Sequence, residues 1–344
     1  MNTRQDDVQR WKKIAQSFGG LTVTVLADLV ADEFVFGEIS RVSREAPVLI
    51  LKHRERTVVP GGGGNAVMNL AALGVKVLPV GVVGDDDTGD LLMAIFRKNR
   101  ITTSGITRLK GHVTTTKSRI LAGTSHGSRQ QVVRVDREPA PLADGSAIAS
   151  KLTNQAREYS GGSQGLLISD YGYGAATPAI LAKIKSKRWP VDKPITLDSR
   201  YRILEYTGAT AATPNEPEVE EALRINIGAD KKQLFSAGRQ LMEQLGLKSM
   251  IITRGRDGMM AFQRNAKPLE IPVFGSDQVV DVTGAGDTVI ATYTAALAGG
   301  ADTSDAANLA NIAGGIVVMK RGTAAVSNAE LLAAIDRSAG TKKS

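Results

Sequence analysis

The sequence has no cysteine among its 344 residues and few aromatic residues. The absence of cysteine excludes disulfide bonds and metal sites built on thiolates. Aromatic residues make up 4% of the chain, and no block of lysine and arginine with interleaved aromatics occurs. The sequence therefore lacks the usual signature of nucleic-acid binding, and we expect no nucleic-acid partner.

Long apolar segments are also missing from the sequence. No run approaches roughly 18 apolar residues, and residues 1–20 contain no apolar core of signal-peptide length. We therefore expect no membrane partner and, by default, a cytoplasmic location.

The composition is ordinary for a globular protein, with 42% hydrophobic and 23% charged residues. The formal net charge of +8 suits an anionic substrate. The length suits one large α/β domain that carries an insertion, or two domains.

From Lys76 onward, short apolar runs of strand length alternate with segments of helical periodicity. Repeated βα units predict a mostly parallel central sheet with helices on both faces. Polar residues follow several strand-like runs, namely Asp28, Asp170, Asp198 and Asn215. Because the carboxyl ends of parallel strands meet at one edge of a sheet, we expect these side chains to line a ligand site. A turn or cap role for Asp28 and a solvated position for Asp32 are the alternatives.

Two stretches depart from this alternation and favour antiparallel strands, one at about 33–59 and one at about 112–136. We expect them to form a small sheet that acts as a lid over the substrate, a dimer interface, or both. Between them, the run from Pro60 to Asn65 contains four glycines and precedes a helix predicted over 65–73. The glycines let the backbone lie against a ligand, and Asn65 offers donors and an acceptor to hydroxyls. A flexible loop with Asn65 as the helix N-cap is the alternative.

The run from Val279 to Thr288 contains Gly284, Gly286 and Asp287, and a long apolar stretch follows it. The spacing of the apolar residues predicts a helix that begins near Gly286. The free amides and the dipole at a helix N-terminus favour an anion such as phosphate. A carboxylate in that position suggests general-base catalysis, in which Asp287 takes a proton from a hydroxyl as its oxygen attacks phosphorus. The alternative is that Asp287 caps the helix and the glycines only form a turn.

These motifs resemble those of the ribokinase-like sugar kinases. Val280–Thr288 resembles the C-terminal signature of that family, Pro60–Asn65 its N-terminal glycine signature, and Asn215–Glu218 its Asn-x-x-Glu motif. The three occur in the family's order across most of the chain. The resemblance implies an α/β ribokinase-like fold with a mostly parallel central sheet, helices on both faces and a small β-sheet lid. It also implies one kinase domain over residues 1–340, with a frayed tail at 341–344.

Further stretches resemble the D-glycero-β-D-manno-heptose-7-phosphate kinases in particular. They are Ser40–Val48, Thr116–Arg119, Ile168–Tyr171, Ala211–Asn215 and Lys320–Thr323. This resemblance implies ATP-dependent phosphorylation of the anomeric O1 of heptose 7-phosphate, for ADP-heptose and lipopolysaccharide core biosynthesis. Such a kinase is often the first half of a bifunctional ADP-heptose synthase, and we expect the nucleotidyltransferase half to be absent here.

The resemblance also assigns roles to individual residues. It makes Asp287 the base, and the amides of Gly284, Ala285 and Gly286 stabilise the transferring phosphoryl group. Substrate contacts fall to Asp32, Gly62, Gly63, Asn65, Arg134 and Asp170. Nucleotide contacts fall to Asn215, Glu216, Pro217, Glu218, Thr253, Gly255, Gly258 and Asn311.

The implied cofactors are ATP and Mg²⁺, with Glu218 holding the metal through water, and a monovalent cation such as K⁺. The implied partners are a small sugar phosphate and a second copy of the chain, which binds through the lid. A basic residue should meet the phosphate of the substrate. Arg134, Arg119, Lys117 and Arg200 are candidates that the sequence does not rank.

The chain departs from the family pattern at three places. Ala27-Asp28 stands where the family commonly has Gly-Asp, Tyr173 where the heptose kinases have lysine, and Asp198-Ser199-Arg200 where they have Asp-Pro-Lys. These departures leave the exact sugar open, so a ribokinase-like kinase for another sugar or sugar phosphate is the second reading. A non-catalytic sugar or nucleotide sensor is the third.

Overall fold

The computed structural model of the protein describes residues 3–123, 129–186, 189–275, 280–320 and 322–340. Predictions at Val279, Arg321, Lys187 and the tail 341–344 lie outside the described residues. No helix in the described part of the chain is long and apolar enough to cross a membrane.

Most of the helices coincide with segments of helical periodicity in the sequence. The helices are α1 (Thr3–Ser17), α2 (Gly63–Ala72), α3 (Asp87–Lys98), α4 (Ala147–Ser160), α5 (Pro178–Lys185), α6 (Glu216–Leu223), α7 (Lys231–Leu245), α8 (Ala285–Ala298), α9 (Thr303–Val317) and α10 (Asn328–Gly340). Local capping explains many of the boundaries. Thr177 caps α5 ahead of Pro178 in its first turn, for example, and Gly246 ends α7 in the left-handed conformation.

The strands form two sheets within the described residues. They are β1 (Thr22–Ala27), β2 (Leu29–Val42), β3 (Leu49–Gly62), β4 (Lys76–Gly84), β5 (Ile106–Leu109), β6 (Thr116–Gly123), β7 (Gln130–Arg137), β8 (Gly165–Asp170), β9 (Ile195–Ser199), β10 (Ala211–Ala212), β11 (Ser249–Thr253), β12 (Met259–Gln263) and β13 (Leu269–Ile271). The sequence predictions missed β5, β13 and α6, which are short.

The larger sheet has nine strands in the order β13-β12-β11-β10-β9-β8-β1-β4-β5. All neighbours pair in parallel except β12 with β11 and β13 with β12, which are antiparallel at one edge. One apolar core packs α1, α2, α3, α8, α9 and α10 on one face, and a second packs α4, α5 and α7 on the other. The predicted α/β class, with a mostly parallel sheet covered on both faces, is confirmed.

The smaller sheet is the predicted lid, and its strand order is β3-β2-β6-β7. Its strands are longer than the sequence indicated, because β2 begins at Leu29 and β3 continues to Gly62. Asp32 therefore lies inside a strand and is 6% exposed, so the solvated alternative for this residue is wrong. The flexible-loop alternative for the glycine run is also wrong, since Pro60–Gly62 pairs with Leu29–Ala31.

The fold brings the ends of several strands and the start of α8 to one place. Strands β1, β8 and β9 are parallel neighbours whose carboxyl ends carry Asp28, Asp170 and Asp198. Helix α8 is buried along most of its length and packs against α2, which follows directly from the lid strand β3. The lid, the strand ends and the start of α8 therefore enclose a common cleft.

Candidate active site

Asp287 occupies the first turn of α8 and is 5% exposed. Both of its carboxylate oxygens are held by neutral donors. Asn65 donates from Nδ2 to Oδ2 at 2.9 Å, and the hydroxyl of Tyr171 donates to Oδ1 at 2.9 Å. Asn65 is the third residue of α2, and Tyr171 directly follows β8. The carboxylate on α8 is therefore fixed by residues from two other parts of the fold.

The pKa of Asp287 is raised to about 7, mainly by burial and to a smaller extent by the nearby charge of Asp32. The hydrogen bonds from Asn65 and Tyr171 lower the pKa and oppose the effect of burial. A carboxylate whose pKa lies near neutrality is well matched to accepting a proton from a hydroxyl.

The two glycines before Asp287 differ in what they permit. Gly284 is the N-cap of α8 with φ of 77°, and a Cβ there would overlap Nδ2 of Asn65. Gly286 faces open space, since a Cβ built on it would meet no atom within 4 Å. The amide of Ala285 donates to the carbonyl of Val282 at 3.2 Å, and the first intrahelical bond is from Thr288 to Gly284. The amides of Gly286 and Asp287 precede that first intrahelical bond and are available to an anion.

A central cavity of about 270 Å³ lies in front of these amides. Its lining residues are Asp170, Tyr171, Asp198, Arg200, Thr213, Asn215, Glu218, Thr253, Val282, Gly284, Gly286 and Asp287. Asn215 caps α6 and forms a reciprocal capping box with Glu218, which leaves the second carboxylate oxygen of Glu218 for a ligand. Burial raises the pKa of Glu218 and raises that of Asp198 well above its ordinary value, and repulsion from Glu218 adds to the effect on Asp198.

The residues of the central cavity fit a magnesium ion whose coordination is completed by phosphate oxygens and water. No group of three or more metal-ligating side chains occurs among the described residues. Mg²⁺ on a nucleotide is usually held by one or two carboxylates together with phosphates and water. Glu218 and Asp198 are buried carboxyl groups in this cavity, and a bound cation would stabilise their ionised forms.

A second, apolar cavity of about 190 Å³ adjoins the first. Four of the predicted nucleotide residues line it, namely Thr253, Gly255, Gly258 and Asn311. Val282 and Gly286 line both cavities, so the two are continuous along the start of α8. The side chain of Asn311 donates to the carbonyl of Pro272 at 2.8 Å, which fixes its orientation in this wall.

Two residues of the Asn-x-x-Glu motif stand apart from these cavities. Glu216 accepts a hydrogen bond from Nε of Arg254 at 3.0 Å, and Pro217 lies in the first turn of α6. Neither lines the central or the apolar cavity. Their positions favour a role in holding Asn215 and Glu218 at the helix start.

A third, basic cavity of about 150 Å³ lies beneath the lid. Its lining residues are Val30, Asp32, Gly62, Lys117, Arg119, Arg134, Tyr171, Arg200, Thr283, Gly284 and Asp287. All four basic residues that the sequence left unranked are among them. Tyr171, Arg200, Gly284 and Asp287 line both the basic and the central cavity, so Asp287 stands at the boundary between the two.

The glycine run contributes to the basic cavity in different ways. Gly62 has φ of 49° and lines the cavity, and a Cβ on it would approach Tyr171 to 3.2 Å. Gly63 lies behind the cavity wall, where a Cβ would come within 2.5 Å of the Cβ of Ala27. Asn65 is inside α2 and the N-cap is Gly62, so the N-cap alternative for Asn65 is wrong.

Asp170 lines the central cavity, with its carboxylate already engaged. Arg202 forms an ion pair with it at 2.6 Å, and the hydroxyl of Ser199 donates to it at 2.9 Å. The carboxylate of Asp28 is also fully hydrogen-bonded, because it accepts hydrogen bonds from the backbone amides of Tyr171, Tyr173 and Ala175. These two acids therefore shape the strand ends.

Sequence reasoning did not assign roles to Tyr171 or Arg202. The polar residues at the ends of β8 and β9 were the available signal, since Tyr171 follows Asp170 and Arg202 follows Arg200 by two positions. Nothing in the sequence shows that Tyr171 reaches Asp287, which is 116 positions away.

Comparisons with known proteins agree with this arrangement. The model of the pfkB family carbohydrate kinases matches residues 30–330. The bifunctional protein HldE of Mesorhizobium japonicum is 39% identical over 326 residues, which cover 94% of this chain and 64% of the relative. The chain thus spans just under two thirds of that relative's length.

Solved structures share the fold at low sequence identity. Ribokinase of Arabidopsis thaliana, complexed with ribose and ATP, has a TM-score of 0.70 and 18% identity, covering 92% of this chain and 98% of that one. Phosphofructokinase-2 of Escherichia coli in complex with fructose-6-phosphate has a TM-score of 0.70 and 15% identity, with the same coverage. The predicted ribokinase-like fold is confirmed. With the family match extending over most of its length, the chain belongs to the pfkB family of carbohydrate kinases.

Proposed function

We propose that this kinase transfers the γ-phosphoryl group of ATP to the anomeric O1 of D-glycero-β-D-manno-heptose 7-phosphate. The position of Asp287 supports this most directly, because its buried carboxylate lies in the wall between the basic and the central cavity. An acceptor hydroxyl in the basic cavity and a phosphoryl group in the central cavity would meet at this carboxylate.

The proposed reaction divides among the residues at this boundary. Asp287 removes the proton of the acceptor hydroxyl as the oxygen attacks phosphorus, and ADP leaves. The amides of Gly286 and Asp287 face the charge that develops on the phosphoryl oxygens. The sequence also assigned Gly284 and Ala285 to this task. Ala285 contributes less in this arrangement, since its amide is bonded to Val282.

The nucleotide is proposed to extend from the central into the apolar cavity. The glycines at positions 255 and 258 and the apolar walls of that cavity suit the flat face of a base, and Asn215 and Glu218 lie toward the phosphates. Mg²⁺ held by Glu218 through water would neutralise phosphate charge when bound. Dependence on a monovalent cation such as K⁺ stays a prediction, as does a cytoplasmic location.

The four basic residues of the basic cavity support a phosphorylated acceptor. Two of them are already neutralised, because Arg119 pairs with Asp32 at 2.6 Å and Arg134 pairs with Asp136 at 2.5 Å. Among the described residues, no ion pair is formed by the other two, Lys117 and Arg200. Burial lowers the pKa of Lys117, and repulsion from Arg134 and Arg200 lowers it further. An anion bound here would relieve that repulsion.

The choice of heptose comes from the lid and strand-end stretches that resemble heptose kinases, together with the similarity to HldE. The departures from the heptose-kinase pattern at Tyr173 and Ser199 affect the choice of sugar less than the sequence suggested. Tyr173 donates to Glu138 at 2.5 Å and Ser199 to Asp170, and neither lines the basic cavity. Arg200 does line it, as the cation in place of the usual lysine.

Replacing Lys117 with methionine is expected to lower kcat/KM for a phosphorylated acceptor by about 10–100-fold, the value of a charge-assisted hydrogen bond. The effect should appear in KM, and kcat/KM for an unphosphorylated sugar should change little. Lys52→Met is the matched control, since Lys52 is an exposed lid residue. Equal losses for both kinds of acceptor would contradict a phosphate contact at Lys117.

The identity of the product tests the proposed reaction. Incubation with ATP, Mg²⁺ and heptose 7-phosphate should produce a bisphosphate whose new phosphorus signal in ³¹P NMR couples to the anomeric proton. Phosphorylation at another carbon, or ATP hydrolysis without sugar phosphate formation, would contradict the proposal.

A homodimer through the lid stays part of the proposal. Apolar side chains are exposed on the lid strands, including Val42 at 58% and Val135 at 56%. Covering such a surface would bury apolar area that is otherwise exposed to water.

A further inference from the structure

Tyr171 links the walls of the basic and central cavities to the carboxylate of Asp287. Its hydroxyl donates to Oδ1 of Asp287 at 2.9 Å, and the residue lines both cavities. The ammonium of Lys117 lies 5.9 Å from the centre of the ring. The tyrosine is thus placed between the proposed acceptor phosphate and the proposed base.

Hydrogen bonds to the buried carboxylate of Asp28 fix the backbone around Tyr171. Oδ2 of Asp28 accepts the amides of Tyr171 and Tyr173, each at 2.9 Å, and Oδ1 accepts the amide of Ala175 at 2.8 Å. Asp28 is 2% exposed, so these bonds are shielded from water. These bonds therefore hold the segment after β8 in one conformation, which fixes the direction from which the phenol hydroxyl approaches Asp287.

With Asn65 on one oxygen and Tyr171 on the other, the carboxylate of Asp287 cannot rotate freely. An ionised carboxylate has about four lone-pair sites, so one on each oxygen stays available. The hydrogen bonds from Asn65 and Tyr171 fix the orientation of the carboxylate, and so the directions of the free lone pairs. Asn65 is itself fixed, because Asn69 donates to its side-chain oxygen at 3.1 Å.

We propose that Tyr171 is a positioning residue for the base: its hydroxyl sets the rotation of the Asp287 carboxylate so that a free lone pair faces the acceptor hydroxyl. This inference rests on the proposed role of Asp287. Tyr171 itself transfers no proton. Burial and the charges of Asp287 and Asp198 raise the pKa of its phenol well above the ordinary value, so it stays a donor throughout.

The hydrogen bond from Tyr171 also bears on the protonation of Asp287, whose pKa it lowers. The other charged groups around the carboxylate come from each neighbouring element. They are Asp32 from β2, Lys117 and Arg119 from β6, Arg134 from β7, Asp170 from β8, Asp198 from β9, Arg200 after β9 and Glu218 from α6. None of these is altered by removing one neutral hydroxyl, so a change in pH dependence would report on the bond itself.

The test is the pH profile of kcat/KM for Tyr171→Phe, which removes the hydroxyl and keeps the ring. Loss of a hydrogen bond to a charged group should move the midpoint of the acidic limb about one pH unit upward. The plateau value of kcat should fall about tenfold, because the carboxylate is less well oriented, and KM for ATP should not change. A profile that superimposes on that of the parent, or one lowered equally at every pH, would overturn the proposal.

Tyr173→Phe is the matched control, since it removes a hydroxyl from the same segment that bonds Glu138 instead. Its midpoint should equal that of the parent. If Tyr171→Phe folds poorly, 3-fluorotyrosine at position 171 gives the opposite change, because its hydroxyl is a stronger donor and should move the midpoint downward. A midpoint unmoved by fluorination would also overturn the proposal.

Asp287→Asn separates this inference from the function on which it rests. If that variant retains turnover, the base assignment fails and the role of Tyr171 fails with it. If that variant is inactive while Tyr171→Phe keeps the parent's midpoint, only the positioning role fails.

Discussion

Asp287→Asn is expected to lower turnover by about 10²–10⁴-fold, the usual contribution of a general base. The amide keeps the shape of the carboxylate and cannot accept the acceptor's proton. Its oxygen can still accept from Asn65, and its NH₂ group can donate to the hydroxyl of Tyr171, which accepts as well as donates. A coupled assay of ADP release measures turnover, and calorimetric titration of ATP should give affinity at least equal to that of the parent.

The stability of this variant provides its control. The pKa of Asp287 is about 7 in the folded protein and near 3.8 in the unfolded chain. The folded state therefore binds the proton more tightly, and the stability due to this group, complete below the lower pKa, is lost as pH rises through about 7. The asparagine of Asp287→Asn does not ionise, so the variant does not lose this stability at high pH. Its midpoint temperature of unfolding at pH 8 should therefore equal or exceed that of the parent.

Retention of near-parental turnover by Asp287→Asn, with the chemical step limiting the rate, would show that another group takes the proton. A variant that is inactive and also much less stable at pH 8 would contradict the raised pKa instead.

Gly286→Val is expected to lower phosphoryl transfer by about 10²–10³-fold, comparable to the loss of one donor of an oxyanion hole. A Cβ built at this position would meet no protein atom within 4 Å, and the residue lines both the central and the apolar cavity. The loss should therefore come from blocking the phosphate position. Turnover and ATP affinity should both fall while the unfolding midpoint changes little.

Gly161→Val is the matched control for this substitution. Gly161 follows α4 with φ of −60°, and a Cβ on it would also meet nothing within 4 Å. This variant should retain full activity. Folded Gly286→Val protein with parental turnover would show that the start of α8 does not hold the transferring phosphoryl group.

The centre of the candidate site could be predicted from the sequence because its parts are contiguous. Gly284, Gly286 and Asp287 lie within four positions, and the apolar periodicity after them indicates a buried helix. The strand-end rule likewise brought Asp170, Asp198 and Asn215 to one edge, since it depends only on the direction of parallel strands.

The contacts that complete the site could not be read in this way, because they join distant segments. Tyr171 reaches Asp287 only through the packing of β8 beside α8, and Asn65 reaches it because α2 packs against α8. Glu216 shows the converse, since it belongs to a motif four residues long but lines neither the central nor the apolar cavity. Its partner Arg254 lies 38 positions later, and no local pattern indicates that ion pair.

The lid shows a similar division. Short β-prone runs correctly indicated the antiparallel pairs β2–β3 and β6–β7, but β2 and β6 join the two pairs in parallel. Strand β2 also begins nearer to β1 than the pattern suggested. Asp28 alone separates the two strands. Asp32 is consequently a strand residue paired with Arg119. The ranking of the four basic residues also required the structure, because it depends on which of them already have a carboxylate partner.

The central claim is that the acceptor is a sugar phosphate carried in the basic cavity and activated by Asp287. Its most direct test compares kcat/KM for D-glycero-β-D-manno-heptose 7-phosphate, fructose 6-phosphate, fructose and ribose in one ADP-release assay. We predict the highest value for the heptose phosphate and a higher value for each phosphorylated sugar than for the unphosphorylated ones. A preference of about tenfold, or 1.4 kcal/mol, for fructose or ribose over the heptose phosphate would contradict the account.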